Sequence, residues 1–455
     1  MNPSAEDALA HSAEFTRGTF PVHVAWTFAA RIFMLVNSVV AGIIVARTLG
    51  AEGLGTLAAI NVTLATITQI STAGLPSANT YFVARDRRFL GPVAVNSFLF
   101  AIVVGGFLAL CVALLARSHS ELFYPVPSQL LTIAAIAIPF QIITLLGLNI
   151  FLATGRVERF NILETAGQSF VLINAVLVLI LLHRGLWLLV LLNTATAVLG
   201  GSTIAFLVLT SGEKEPAGQS NWAVDFSLLK RLMGYGVKFH VATVAAFLVF
   251  RLDLLVVNHF RGPAEAGVYS VSSQVAMMLL LLPSIIAALL FPRLAATQDN
   301  RGALASRASR HTAFVMFLVC SATVPLSLLL PLLYGPHFKD LPVQLFLLLP
   351  GVYLISIESV MVQHLNAAGI PPAIPLFWIA TLGVNLTLTL ALVPKWGARG
   401  AAIASTLSYA MIFLLVLFYF CRKTGNRISN TLVLRAQELR ELLSTGTRRK
   451  LRLLE

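Results

Sequence analysis

The chain has 455 residues, of which 57% are hydrophobic and 11% are charged. Soluble proteins have about 45–50% apolar and about 25% charged residues, so this chain has too few charges to cover a soluble surface. The composition excludes a soluble enzyme and a disordered protein, and it favours a polytopic membrane protein. A strongly positive net charge, here +13, is typical of nucleic-acid-binding proteins. The positions of the basic residues along the chain indicate a different origin of this charge. The three cysteines are too few for a disulfide framework.

Apolar windows along the chain are long enough to cross a membrane as helices. A spanning helix needs about 20 mainly apolar residues, and hydrocarbon requires every backbone group to be hydrogen-bonded internally. Twelve windows meet this length: 22–46, 54–82, 92–116, 129–153, 162–182, 187–209, 235–260, 267–292, 311–334, 343–368, 373–393 and 398–421. We therefore predict an all-α integral membrane protein with about twelve transmembrane helices.

The basic residues lie mainly in one set of connecting segments. With the N-terminus inside, the cytoplasmic segments hold 22 Lys and Arg residues and the external segments hold 7. Cytoplasmic loops of membrane proteins carry an excess of Lys and Arg. The pattern predicts that the N- and C-termini are both cytoplasmic. Most of the net positive charge is then explained by the orientation of the chain in the membrane, and no nucleic-acid partner is expected.

The two halves of the sequence repeat at a nearly constant offset. Gly50 and Gly55 correspond to Gly262 and Gly267, each 212 residues later. Six further pairs keep an offset between 207 and 214 residues. Each half therefore contains six helices with the same orientation. We predict two parallel six-helix repeats around a central cavity, related by an axis along the membrane normal.

This organisation divides the chain into five segments. They are a cytoplasmic N-terminal segment 1–21, an N-terminal six-helix lobe 22–210, a cytoplasmic linker 211–234, a C-terminal six-helix lobe 235–421 and a basic cytoplasmic tail 422–455. In the tail, an apolar stripe at helical spacing predicts an amphipathic helix on the inner leaflet. Its members are Leu432, Ala436, Leu439 and Leu443. A docking site for a cytoplasmic partner is the alternative.

The sequence lacks the common catalytic motifs. The sequence has no Walker A run, no Cys-x-x-Cys pair, no His-Glu-x-x-His and no Gly-x-Ser-x-Gly. The predicted external loops, at about four to twelve residues, are too short to fold into a catalytic lid. We therefore predict a protein that is not an enzyme and that has no cofactor and no metal site.

Ionisable residues inside the spans are the candidate functional residues. A charge near mid-membrane costs at least about 2.5–3.5 kcal/mol, so it invites a functional explanation. Arg31 and Arg251 lie near the membrane centre, His240 shares a helix face with Arg251, and Lys238 lies at the inner end of the same helix. These four residues predict a cationic substrate cavity suited to an anionic headgroup, because Arg binds phosphate bidentately. Arg31 has no acidic residue near its depth, since Glu164 is expected at the interface.

Two acidic residues in the C-terminal half have alternative interpretations. Glu358 lies near the centre of the tenth window, where it would either pair with Arg251 or take part in proton or ion coupling. Asp253 would pair with Lys238 or accept a hydrogen bond from a backbone group. Both residues are therefore predicted as coupling or ion-pair residues.

Several loose motifs occur in a characteristic order across the twelve windows. They are 45–55 (VARTLGAEGLG), 250–253 (FRLD), 267–270 (GVYS), 290–294 (LFPRL), 365–369 (LNAAG) and 393–402 (VPKWGARGAA). In this order the chain resembles the polysaccharide flippases (Wzx, or O-antigen, type) of the multidrug/oligosaccharidyl-lipid/polysaccharide superfamily. The resemblance covers nearly all of residues 20–421.

The resemblance implies a function and a set of partners. It implies a MATE-like fold and a flippase that moves a lipid-linked oligosaccharide, carried on polyprenyl pyrophosphate, for lipopolysaccharide or other surface polysaccharide. Membrane lipids and polysaccharide-assembly proteins are the implied partners of a monomeric transporter. Basic cavity residues are usual in such flippases, and Arg31 and Arg251 are the positions that fit.

Other transporter and enzyme classes remain as alternatives. A drug or cation exporter of the same superfamily should carry acidic residues in its N-terminal cavity, whereas between Phe20 and Phe82 the only acid is Glu52, in a loop. A major-facilitator sugar porter usually has a Gly-x-x-x-Asp-Arg pattern after its second helix, and the segment 85–88 (RDRR) lacks the glycine. A membrane glycosyltransferase or polymerase is disfavoured by the short external loops.

Overall fold

The computed structural model describes residues 20–210, 222–297, 302–367, 369, 371–434 and 438. Their secondary structure is helical throughout. The α-helices are α1 (Phe20–Ser71), α2 (Leu75–Arg85), α3 (Leu90–Ser118), α4 (Ser128–Ala135), α5 (Ala137–Ala153), α6 (Val157–Ala175), α7 (Leu186–Thr210), α8 (Phe226–Arg261), α9 (Pro263–Leu279), α10 (Leu281–Thr297), α11 (Ala303–Ser327), α12 (Leu330–Tyr334), α13 (Leu341–Ala367), α14 (Ala373–Thr424) and α15 (Ile428–Leu432). Short 3-10 turns at Arg87–Phe89, Ser120–Phe123 and Pro336–Phe338 and a π-helical turn at Val176–Leu181 complete this list.

Within the described residues, nine helical stretches are long and apolar enough to cross a membrane. Two of them, Trp26–Ser71 and Ala373–Thr424, are long enough to cross twice. Each bends at a glycine outside helical geometry, Gly50 (φ 70°) in one and Gly397 (φ 57°) in the other. The 25-residue helix α11 is a further segment of spanning length. The helical segments confirm the prediction of an all-helical membrane protein, and counting the two long stretches twice and adding α11 gives twelve segments of spanning length.

Large apolar side chains cover the outside of these helices. On α3, Val103, Phe107 and Leu110 are 57–64% exposed. A soluble protein rarely exposes so continuous an apolar surface. The exposed apolar faces are therefore the faces that contact lipid.

The backbone repeats its irregularities at the predicted offset. Gly50 and Gly262 both have positive φ angles, 70° and 87°. The second repeated turn, at Gly155 and Gly369, has φ angles of 71° and 96°. A positive φ is accessible to glycine at little steric cost, which explains why glycine occurs at both members of each pair. The prolines Pro139 and Pro350 differ, because the helix is interrupted at residue 136 before Pro139 but α13 continues through Pro350.

The described helices form two compact units. Unit 1 is Met1–Val244 together with Gly262–Gly267, and unit 2 is Ala245–Arg261 together with Val268–Glu455. The division therefore falls within α8. The core of unit 1 includes Leu75, Leu90, Leu131, Ile138, Ile142, Leu146 and Phe151. The core of unit 2 includes Val360, Met361, Ile412, Val416 and Phe420.

A buried ion pair in unit 2 ties the tail to α11. Arg310 Nε donates to Glu438 Oε2 at 2.8 Å, and the guanidinium also donates to Glu438 Oε1 and to the Asn430 carbonyl. The two side chains are only 6% and 11% exposed. Most of the predicted amphipathic helix, including Leu439 and Leu443, lies outside the described residues.

Arg310→Ala is expected to destabilise unit 2. Removing one partner leaves the other charge buried and unpaired, which costs about 3–5 kcal/mol. The melting temperature of the detergent-solubilised protein, followed by tryptophan fluorescence, should fall. Arg399→Ala is the matched control, because Arg399 pairs with Asp340 at 2.8 Å with both side chains more than half exposed. Exposed pairs contribute about 0–1 kcal/mol. Equal melting temperatures for the two variants would therefore contradict a stabilising role of the buried Arg310–Glu438 pair.

Candidate functional site

Arg31 lies on α1 and faces α6. Its Nη1 donates to Glu164 Oε1 at 2.8 Å, and its Cζ lies 6.0 Å from the centre of the Phe160 ring. The Arg31 side chain is still 40% exposed. The prediction that Arg31 lacks an acidic partner is therefore wrong. The physical reason is that α6 begins at Val157, so Glu164 lies seven residues, about 10 Å, inside the helix and not at its start.

Hydrogen bonds continue this polar contact between α1 and α6. Asn161 donates to Thr27 Oγ1 at 2.9 Å, and Asn37 donates to Ser169 Oγ at 3.1 Å. The second carboxylate oxygen of Glu164 is buried and has no hydrogen-bond partner among the described residues. The arrangement holds a half-exposed guanidinium in place while leaving several of its donors available to an anion.

The other predicted cavity residues are distributed over both units. His240 belongs to unit 1, where its Nε2 lies 3.1 Å from the Ile70 carbonyl oxygen. Arg251 belongs to unit 2, and the Lys238 side chain lies outside what the structure describes. A cavity shared by Arg31, His240, Lys238 and Arg251 stays a prediction.

Glu358 is buried on α13 and does not pair with Arg251. Its side chain belongs to a residue that is 3% exposed, and its Oε1 has no hydrogen-bond partner among the described residues. In the described part of unit 2 the two residues form no ion pair, which leaves coupling as the other of the two alternatives. A carboxyl group held in an apolar core without a partner is a candidate for carrying a proton or a cation.

Asp253 joins three helices of unit 2. Its Oδ1 accepts from the Leu254 backbone N–H at 2.8 Å, and its Oδ2 accepts from Ser405 Oγ at 2.8 Å and from the Tyr269 hydroxyl. The prediction of a backbone partner is confirmed. Helix periodicity does not identify Tyr269 and Ser405 as partners, because their hydroxyls come from two other helices, α9 and α14. No group of three His, Cys, Asp or Glu side chains with metal-binding geometry occurs within the described ranges.

Two repeated glycines of unit 1 meet each other. A Cβ added to Gly55 would lie 1.8 Å from the Pro263 carbonyl oxygen and 2.7 Å from Gly267 N. A Cβ added to Gly267 would lie 2.0 Å from the Ala51 carbonyl oxygen and 3.0 Å from Gly55 N. Ala51 and Pro263 are themselves 212 residues apart. The contact is therefore reciprocal. Gly55 packs on Pro263, and Gly267 packs on Ala51, which is the residue that corresponds to Pro263 in the first repeat.

A second close backbone contact in unit 1 joins Gly74 and Gly236. A Cβ on Gly74 would lie 2.3 Å from the Gly236 carbonyl oxygen, and one on Gly236 would lie 2.4 Å from the Gly74 carbonyl oxygen. Beside it, the rings of Tyr81 and Tyr235 stack with their centres 4.5 Å apart. The segment 235–240 of α8 thus contacts α1 and α2 through backbone, ring and imidazole groups.

Curated proteins resemble this chain over part of its length. A protein described as "Putative O-antigen transporter" from Shigella flexneri is 24% identical over 203 residues, which cover 43% of this chain and 48% of that protein. "Probable flippase AglR" from Haloferax volcanii is 28% identical over 170 residues, 35% of each chain. This chain therefore matches about half or less of the length of these curated relatives.

Solved structures share the fold over most of the chain. An inward-facing multidrug resistance MATE family transporter of the MOP superfamily has a TM-score of 0.72 at 14% identity, covering 89% of this chain and 99% of the other. "Lipid II flippase MurJ, inward closed conformation" also has a TM-score of 0.72 at 14% identity, with 89% and 90% covered. These likenesses confirm the predicted MATE-like fold.

The family comparison covers more of the sequence than the curated relatives do. The family described as "Polysaccharide biosynthesis protein" matches residues 44–340. This range includes the repeated pairs Gly50–Gly262 and Gly55–Gly267 and the junction of the two halves. It also includes Glu164, Arg251 and Asp253. The chain is a multi-pass membrane protein that belongs to the polysaccharide biosynthesis protein family.

Proposed function

We propose that this chain is a flippase that moves a lipid-linked oligosaccharide across the plasma membrane for surface polysaccharide biosynthesis. The observation that carries the proposal is the family match over residues 44–340. The half-exposed Arg31 inside a helix of spanning length supports an anionic cargo. A polyprenyl pyrophosphate carrier fits this residue, since guanidinium donors bind phosphate oxygens bidentately.

In this proposal the chain lies in a bacterial inner membrane with both termini in the cytoplasm. The excess of Lys and Arg in the predicted cytoplasmic segments supports this orientation. The protein acts as a monomer, in contact with membrane lipids and with polysaccharide-assembly proteins. These partners would supply the cargo on one side and polymerise it on the other.

Alternating access is the mechanism that the glycine contacts of unit 1 support. Gly55 and Gly74 are 19 residues apart along α1 and the start of α2, which corresponds to about 28 Å of helix. This length is close to the hydrocarbon thickness of about 30 Å. The Gly55–Gly267 contact would therefore close one side of the membrane and the Gly74–Gly236 contact the other. Transport requires that the two contacts open in turn.

Glu358 is the coupling residue in this mechanism. Asp253 already accepts three hydrogen bonds, whereas Glu358 Oε1 has no partner among the described residues. A proton or a cation taken up by Glu358 would remove an uncompensated charge from the core of unit 2.

The test is a flipping assay with the purified full-length chain in liposomes. A fluorescent oligosaccharide on a short-chain polyprenyl pyrophosphate is incorporated, and its accessibility to an impermeant quencher is followed over time. Faster loss of protected fluorescence than in protein-free liposomes is the expected result. In parallel, the gene is expressed in a strain lacking its own polysaccharide flippase. Drug resistance without restored polysaccharide, and without flipping, would instead favour a drug or cation exporter.

A further inference from the structure

The ends of α2 and α8 carry a cluster of aromatic rings and arginines in unit 1. Phe82 makes edge-to-face contacts with Tyr81, Phe89 and Tyr235, with ring centres 5.4–6.0 Å apart. Arg231 extends over this cluster, with its Cζ 5.6 Å from the Phe82 ring and 6.0 Å from the Phe89 ring. These rings hold the guanidinium by cation–π contact.

A second guanidinium is held by the same cluster. Arg85 Nη1 lies 3.0 Å from the Tyr81 hydroxyl oxygen and donates to it. Arg85, Arg231 and Tyr81 are all exposed. Among the described residues neither arginine forms an ion pair with a carboxylate. Both guanidiniums are thus positioned by aromatic groups and keep their full charge accessible.

The two nearby carboxylates are engaged elsewhere. Asp86 accepts from Arg88 Nη2 at 2.9 Å, and the hydrogen bonds from Arg88 lower the pKa of Asp86. Asp225 accepts from Ser227 Oγ and from the Leu228 backbone N–H, and these bonds lower its pKa, with a smaller effect from the charge of Arg231. Both acids are therefore ionised at neutral pH but occupied by other donors.

The local charge is strongly positive. The side chains of Arg87 and Lys230 are also exposed, so the segments 85–88 and 225–231 together carry five cations and two carboxylates. An accessible pair of guanidiniums on an aromatic platform is suited to phosphate oxygens, because each guanidinium offers a planar pair of donors.

The geometry points to a diphosphate-binding site formed by Arg85 and Arg231, which receives the pyrophosphate headgroup of the cargo before it passes the Gly74–Gly236 contact. This assignment rests on the proposed function for the identity of the cargo and on the cytoplasmic orientation of residues 85–89. The Tyr81–Tyr235 stack lies next to Gly236, so the site sits directly at the contact that must open. The rings of Tyr81, Phe82 and Phe89 orient the arginines.

The test measures binding of farnesyl pyrophosphate to the detergent-solubilised full-length protein by isothermal titration calorimetry. Arg85→Ala and Arg231→Ala should each weaken binding at least about tenfold, since a charge-assisted hydrogen bond contributes about 1.5–3 kcal/mol and 1.4 kcal/mol corresponds to tenfold. Arg231→Lys should restore only part of the affinity, because an ammonium group cannot bind bidentately. Circular dichroism and gel filtration confirm that each variant is folded.

Two matched variants decide whether the site is specific. Arg117→Ala removes the same charge from the other end of α3, and Arg87→Ala removes an exposed neighbour of Arg85. Both should bind farnesyl pyrophosphate within about twofold of the unmodified chain, as a screened exposed charge contributes little. An equal loss in Arg87→Ala would show a diffuse basic surface and overturn the site.

Two further comparisons show whether the bound phosphate belongs to the cargo or to a membrane lipid, and whether the arginine site and the flippase function stand independently. Competition by phosphatidylglycerol micelles as strong as by farnesyl pyrophosphate would assign the site to membrane lipid and overturn the cargo assignment. Normal binding and flipping by both arginine variants would overturn the site while the flippase function stands. Arg85- and Arg231-dependent binding by a chain that does not flip the oligosaccharide would support the site and overturn the proposed function.

Discussion

Gly267→Ala is expected to lower surface polysaccharide at least about tenfold while the protein still reaches the membrane. The added Cβ would lie 2.0 Å from the Ala51 carbonyl oxygen, far inside the optimal carbon contact distance of about 3.5–4.0 Å. The helices would have to separate, and overpacking of this kind costs about 1–3 kcal/mol. Such a cost disfavours the closed contact by about five- to 150-fold. The measurement is surface polysaccharide per molecule of membrane-inserted protein in a complemented strain.

Two other glycines provide the control for this prediction. Gly106 and Gly200 are helical, and a Cβ added at either position would meet nothing within 4 Å. Gly106→Ala and Gly200→Ala should therefore leave polysaccharide at the level of the unmodified chain. Gly55→Ala should repeat the defect of Gly267→Ala, because its Cβ would lie 1.8 Å from the Pro263 carbonyl oxygen. Wild-type polysaccharide in both contact variants would show that transport does not require this contact.

Arg31→Ala should have the second large effect, a loss of polysaccharide of about tenfold or more. In the proposed function Arg31 binds an anionic cargo, so removing the guanidinium would delete charge-assisted hydrogen bonds that contribute about 1.5–3 kcal/mol each. It also leaves Glu164 without its 2.8 Å partner. Surface polysaccharide and initial flipping rate in liposomes are the measurements. Unchanged surface polysaccharide and an unchanged flipping rate would show that Arg31 has no role in transport.

Variants of the ion pair separate cargo binding from helix packing. Glu164→Gln keeps an oxygen acceptor for Arg31 and should retain most activity if the guanidinium acts on the cargo. Arg31→Lys keeps the charge but loses the planar donor pair, so it should be intermediate. If Glu164→Gln were as inactive as Arg31→Ala, the ion pair would act by holding α1 against α6.

The sequence predicted the helices well because hydropathy and helix length are local properties. Apolar windows of spanning length recur as helices, and the glycines at 50 and 262 recur as positive-φ turns. Depth within the membrane was predicted less well. The hydropathy window 162–182 puts Glu164 at an interface, whereas α6 begins five residues earlier, at Val157. An error of one turn and a half was enough to hide the partner of Arg31.

Contacts between distant segments could not be derived from spacing. Ser405 reaches Asp253 across 152 residues, and neither helical periodicity nor composition indicates that pairing. The repeat offset showed that Gly55 and Gly267 are equivalent, but not that they touch. From the sequence, Arg85 and Arg231 indicate only which side of the membrane their segments face. The aromatic rings that both arginines contact come together only when α2 and α8 pack against each other.

The reciprocal contact of Gly55 and Gly267 has the geometry of an isologous interface, in which the same patch on two bodies meets itself. Were each half a separate polypeptide, two identical copies would pair through this patch, and any mutation there would alter both sides of the dimer at once. In the fused chain the two sides are encoded separately. One copy of the patch is therefore free to diverge while the other is retained, which allows an asymmetric cargo path to evolve from a symmetric ancestor.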